Sequence, residues 1–286
     1  MGTRYQGRKL LAVLAHPDDE SFGMGGTLAY YAEKGVEVHL VCATRGEAGE
    51  VGPEYLEGHE SIADLREAEL KCAAVHLGID HVYFLDYRDS GMLGSTDNKH
   101  PRALVSAPQE KVVREVTEII REFQPEVVVT FDPIGGYRHP DHVFIHEVTK
   151  KAFFQAGDLD YETDSNPFQP EKLYYHTISK RYLRIVVRLL RLLGQDPTKW
   201  GKNDDIDLAA LAEEEFPVHA RIDVRSMEER KKAASACHAS QSGSSLVGNF
   251  FRWVLKMLGF RGKDLYMRAH PEPQEGEVEQ DLFAGL

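Results

Sequence analysis

Cysteine is scarce: three residues in 286, Cys42, Cys72 and Cys237. An odd number at wide spacing is no disulfide framework and no paired-cysteine metal site. It suits a reducing, cytoplasmic setting. Long apolar runs are missing, so no segment reads as a membrane span. The stretch 10–15 follows Arg4, Arg8 and Lys9, but it is too short for a signal-peptide core and runs straight into His16 and Asp18. A buried first strand accounts for it better. Gln6 stands where myristoylation needs Ser or Thr. Positive charge is also short. The chain has 34 Lys and Arg against 46 Asp and Glu, a net charge of −12, which repels nucleic acid. No internal repeat and no clean domain boundary is visible.

What is present is an alternation of strand and helix patterns. Residues 10–14 read as a strand buried on both faces, and Gly25-Gly26 opens a helix over 27–34 that ends at Gly35. Residues 36–43 form a second strand, 62–77 a helix stopped by Gly78, and 82–85 a third strand. A long polar loop, 86–107, follows; loops of that length in compact domains are usually functional. Then come a helix at 110–123, a strand at 126–131 and a helix from His142. Crossovers of this length force parallel pairing. The expected fold is α/β: a Rossmann-like, doubly wound, mostly parallel sheet with a C-terminal cap or extension. Residues 1–178 are the expected core, 179–270 the cap and 271–286 a tail.

Two stretches carry the chemistry. Ala15-His16-Pro17-Asp18-Asp19-Glu20 follows the first strand, and Tyr137-Arg138-His139-Pro140-Asp141-His142 follows the fourth. In strand order 3-2-1-4 those two strands are neighbours where the winding reverses, and ligands bind at their carboxyl ends. His16, Asp19 and His142 then supply two nitrogens and an oxygen to one divalent ion, zinc or alternatively iron(II), leaving positions open. Such an ion acidifies water and polarises a carbonyl. Asp18 is the natural general base, and His139 can stabilise an oxyanion or protonate a leaving amine. Asp141 can orient His139, and Tyr137 adds a hydroxyl. A single HPD turn is as readily a helix cap as a site. Two at one switch point are hard to obtain from packing alone.

These stretches, with Ala236-Cys237-His238-Ala239-Ser240-Gln241, resemble the PIG-L/LmbE-like deacetylase family. Thr44-Arg45-Gly46-Glu47-Ala48-Gly49-Glu50, Tyr87-Arg88-Asp89-Ser90-Gly91-Met92 and Gly135-Gly136-Tyr137 resemble its mycothiol-pathway branch. That branch includes deacetylases of N-acetylglucosaminyl-inositol and amidases of mycothiol S-conjugates. The resemblance implies zinc on His16, Asp19 and His142, and Asp18 as base. It implies His139 and Tyr137 as transition-state stabilisers, with Asp141 orienting His139. Arg66, Asp89 and, more weakly, Glu47 match positions that bind sugar or inositol hydroxyls. The expected activity is removal of the N-acetyl group from an N-acetylglucosamine glycoside. The alternatives are cleavage of a thiol conjugate at the same metal, or sugar binding without chemistry. No lysine follows the first motif as in the amidase; Gly23-Met24-Gly25-Gly26 stands there.

The second half is less regular. Residues 172–177 and 219–224 read as strands and 227–237 as a helix. Residues 196–215 look like an acidic linker, and 271–279 look disordered. The helix at 180–193 is basic and amphipathic, with Arg181, Arg184, Arg188 and Arg191 on one side. A second such segment, 250–258, contains Trp253. Lipid contact is one reading of both; packing, or contact in a homo-oligomer, is the favoured one. His238 lines the pocket or closes a helix end. The expected partner is a small-molecule glycoside, with no nucleic acid and no membrane span.

Overall fold

The computed structural model describes residues 4–200, 206–241 and 262–286. The elements run β1 (Lys9–Leu14), α1 (Asp19–Phe22), α2 (Gly25–Glu33), β2 (Glu37–Thr44), α3 (Ile62–Leu77), β3 (His81–Tyr87), α4 (Gln109–Phe123) and β4 (Val127–Phe131). They continue with α5 (Gly135–Arg138), α6 (Pro140–Gly157), β5 (Lys172–Thr177), α7 (Lys180–Leu192), α8 (Leu208–Glu213), β6 (Ala220–Asp223), α9 (Glu228–Cys237) and β7 (Lys263–His270). One sheet has the order β3-β2-β1-β4-β5-β7-β6. The first five strands are parallel, and β7 is antiparallel to both its neighbours. β1 and β4 pair side by side, Leu10 on Val127 and Ala12 on Val129.

The unbroken apolar runs explain this layering. Leu10, Leu11, Val13, Val127, Val128 and Val129 are fully buried, as expected for parallel strands covered on both faces. Helices supply the cover: α3 is capped by Ser61, which accepts the Asp64 N–H, and ends at left-handed Gly78. The neighbourhood of β1 and β4, inferred from the doubly wound pattern, is the arrangement found.

The structure corrects several expectations. The acidic stretch 196–215 contains α8, whose Leu208 and Leu211 pack against Leu183, Val186, Val187 and Leu190 of α7. Isolated apolar residues in a polar run escaped notice because their partner face lies on another helix. Residues 271–279 are not disordered. Glu279 bridges to Ala220, and the following Leu282 and Phe283 are buried in the main core. Strand β7 was not anticipated. Cys72 and Cys237 form a disulfide, with Cα atoms 5.9 Å apart. Their spacing in sequence hides the fact that α3 packs along α9. The segment 250–258, with Trp253, lies outside the described residues.

Candidate active site

The two motifs meet because β1 and β4 end side by side. After β1 the chain turns at Asp18, which is left-handed (φ 119°) and leads into the single turn of α1. A non-glycine residue there costs about 1–3 kcal/mol and persists only when neighbours hold it. After β4, Gly135 and Gly136 both take positive φ. At Gly135 a Cβ would lie 2.6 Å from the Cβ of His142, so only glycine lets the loop pass this close. His139 then caps α6 by accepting the Asp141 N–H on Nδ1 (3.2 Å), and Pro140 takes the first helical position.

Three donors converge. His16 Nδ1 lies 3.0 Å from His142 Nε2, His142 Nε2 lies 3.2 Å from Asp19 Oδ1, and His16 Nδ1 lies 3.6 Å from Asp19 Oδ2. Donors about 2.0–2.1 Å from a tetrahedral ion sit roughly 3.3 Å from one another, so the set fits a single cation. The opposite ring nitrogens support this. His142 Nδ1 donates to the Gly135 carbonyl (3.1 Å), and His16 Nε2 donates to Asp141 Oδ2 (3.1 Å). Each imidazole therefore turns a lone pair, not a proton, toward the other, an arrangement that calls for a positive charge between them. A looser set, His16, His139 and His142, also brings three ring nitrogens within 4.8 Å of one another.

The charges around the set agree. Burial works against protonation of His16, but Asp89 and the hydrogen bonds to Asp141 and Asp19 raise its pKa well above the ordinary value. Burial likewise opposes ionisation of Asp19, yet His142 and His16 hold it well below the usual carboxylate range. The cluster is built for a cation. Burial, then the charges of His16 and His142, push His139 down to about 2. Burial and Asp19 push the Tyr137 phenol up, so it keeps its proton. Its ring lies 4.9 Å from that of His142. Burial raises Asp18 to about 6, against the pull of Arg66.

Two sequence expectations change here. The Asp141 carboxylate holds His16 and accepts the Ser90 N–H (2.9 Å); only its backbone N–H meets His139. Arg66 is 3% exposed and is engaged by Asp18 Oδ2 (2.9 Å), the Gly46 carbonyl (2.9 Å) and the Pro17 carbonyl. It grips Asp18 rather than standing open to a sugar. Asp89 lies 3.4 Å from His16 Nε2, and Glu47 accepts the Asp89 N–H (3.0 Å). The long loop after β3 thus delivers Asp89 and Ser90 to the centre, as a functional loop would. Glu20, fully buried and bonded to His238, was missed, although it stands inside the first motif.

The family model described as PIG-L, GlcNAc-PI de-N-acetylase, matches residues 11–153. The chain is similar to an Acidothermus cellulolyticus protein named 1D-myo-inositol 2-acetamido-2-deoxy-alpha-D-glucopyranoside deacetylase. The two are 36% identical over 292 aligned positions, covering 98% of this chain and 95% of that one. Among solved structures, N,N'-diacetylchitobiose deacetylase from Pyrococcus horikoshii superposes with a TM-score of 0.64 at 24% identity, covering 91% of this chain and 83% of its own. The 4-carboxy-2-hydroxymuconate hydratase of Pseudomonas putida superposes with 0.61 at 18%, covering 94% and 98%. One architecture therefore carries different chemistries, and the structural likeness speaks for the fold alone. The near-full-length sequence match speaks for more: the chain belongs to the PIG-L family and is a hydrolase acting on C–N bonds outside peptides.

Proposed function

We propose that the chain removes the acetyl group from the 2-acetamido sugar of an N-acetylglucosaminyl-inositol, with zinc held by His16, Asp19 and His142. The observation that carries this is the convergence of those donors, 3.0 to 3.6 Å apart, beside a strained Asp18. A zinc ion there would acidify a water molecule and polarise the acetamide carbonyl. Asp18 takes the proton of the attacking water; a carboxylate raised toward neutrality is a suitable acceptor. The Tyr137 hydroxyl donates to the developing oxyanion. His139 accepts on Nδ1 and therefore carries its proton on Nε2, from where it donates a hydrogen bond to the oxyanion. The C–N bond breaks as the proton taken by Asp18 passes to the departing nitrogen, giving acetate and the free amine.

Asp89 and Glu47 are assigned to sugar hydroxyls on the strength of the family match, and Arg66 to holding Asp18. Helices α7 and α8 are assigned to aglycone selection, since the small core they share includes Tyr137 and Ile134 at its edge. No helix among the described residues is long and apolar enough to cross a membrane. A cytoplasmic location is proposed with this function; the Cys72–Cys237 disulfide runs against it, and thiol trapping in intact cells decides.

Acetate release from N-acetylglucosaminyl-inositol is the direct test. It should stop after chelation and return with zinc. Asp18→Asn should lower kcat by about 10²–10⁴-fold while metal content stays constant. A full rate in that variant removes Asp18 from the base role. Faster turnover of a thiol-conjugate amide than of the acetyl sugar would favour the amidase alternative.

A further inference from the structure

We infer that His238 and Glu20, a buried pair from opposite ends of the chain, position Asp18; this rests on the base role proposed above. Both side chains are fully buried, and His238 Nε2 lies 2.7 Å from Glu20 Oε1. The other oxygen, Oε2, accepts the backbone N–H of Asp18 at 2.9 Å. Ser21 Oγ also donates to Oε1. A carboxylate removed from water needs hydrogen-bond partners for both oxygens. His238 supplies the cationic or N–H donor partner.

The consequence lies in the backbone. Asp18 sits at φ 119° and ψ −27°, a conformation that an aspartate does not hold unaided. Its carboxylate is gripped by Arg66 and its amide by Glu20. Together the two grips fix the direction of the side chain. Glu20 in turn is only as well placed as His238. That residue stands at the end of α9, which is tied to α3 by the Cys72–Cys237 disulfide. Two residues on, Ser240 donates to Glu69 of α3 through its N–H (2.8 Å) and its hydroxyl (2.8 Å). The segment after α9 is therefore anchored on both sides of His238. A core histidine kept only for packing would not need an ion partner joined to a strained catalytic backbone.

The test is steady-state kinetics on acetate release together with metal content and thermal melting. His238→Leu fills the space without donating and should lower kcat by about 10²-fold, with KM within about twofold and metal content unchanged. His238→Gln restores an N–H donor toward Glu20 and should recover most of kcat. An unchanged kcat in the leucine variant overturns the inference, as does an equal loss in both variants. A raised KM at unchanged kcat overturns it too, since that marks substrate contact. If His238→Leu does not fold, Glu20→Gln reports on the same link and should lower kcat, not raise KM; a full rate there overturns it equally. Asp18→Asn separates the two layers. A full rate in Asp18→Asn sinks the base role, whereas an inactive Asp18→Asn beside a fully active His238→Leu sinks the positioning role alone.

Discussion

His16 makes opposite use of its two ring nitrogens. Nε2 donates a hydrogen bond to Asp141, which leaves Nδ1 to face His142 and Asp19 with a lone pair. A carboxylate behind a ligating imidazole fixes its tautomer and strengthens it as a donor, and loss of such a partner typically costs 10–100-fold in metal affinity. Asp141→Asn should therefore weaken zinc binding by about 10–100-fold in a chelator competition, with little change in melting temperature of the metal-free protein. An unchanged affinity would mean that Asp141 does not tune His16 as a donor. The meeting of His16, Asp19 and His142 was legible because His16 and Asp19 share one turn, and His142 lies in the first turn of the helix of the second motif. What holds them was not legible. Asp141 reaches His16 across 125 residues and Arg66 reaches Asp18 across 48, and no spacing rule covers such contacts.

At the scale of elements, the strand–helix alternation was readable because each pattern is local. Helix α3 has its cap, its apolar spacing and its terminating Gly78 within its own sequence. Helix α8 does not: its apolar residues make sense only against α7. Helix α9 has little apolar face of its own, with Ala234 its fully buried residue, and it is held by what surrounds it. The Cys72–Cys237 bond is one such restraint, closing a loop of 165 residues in sequence separation. Cross-links that close loops stabilise by typically about 2–4 kcal/mol, chiefly through the unfolded chain. Cys72→Ser should lower the urea-unfolding free energy by about that amount, and reductant should do the same to the parent protein. If reductant leaves the parent's midpoint unchanged, the two cysteines are not paired in solution.

For the whole molecule, the parallel half of the sheet was predictable from buried apolar runs, while its antiparallel edge was not. Lys263–His270 shows no polar–apolar alternation and places the charged Asp264 and Arg268 on its buried face, which reads equally as a loop. It becomes a strand because β5 and β6 flank it. The C-terminal segment completes that edge. Glu279 lies against Lys172 Nζ (2.6 Å) and Arg268 Nη1 (2.7 Å), with all three side chains 5–6% exposed, and it also accepts from the Tyr174 hydroxyl. One carboxylate thus neutralises two cations that β5 and β7 bring inward. Removing it leaves Lys172 without its counter-charge and Arg268 with Glu277 (2.5 Å), and breaking a buried pair in this way costs about 3–5 kcal/mol. Glu279→Ala should destabilise the protein by about that amount in urea unfolding, well beyond the fraction of a kcal/mol expected of a surface glutamate. The active site, at the β1–β4 crevice, should keep its kcat at temperatures where the variant remains folded. A change below about 1 kcal/mol would mean that the cations find other partners and that the segment after β7 only lies on the sheet edge.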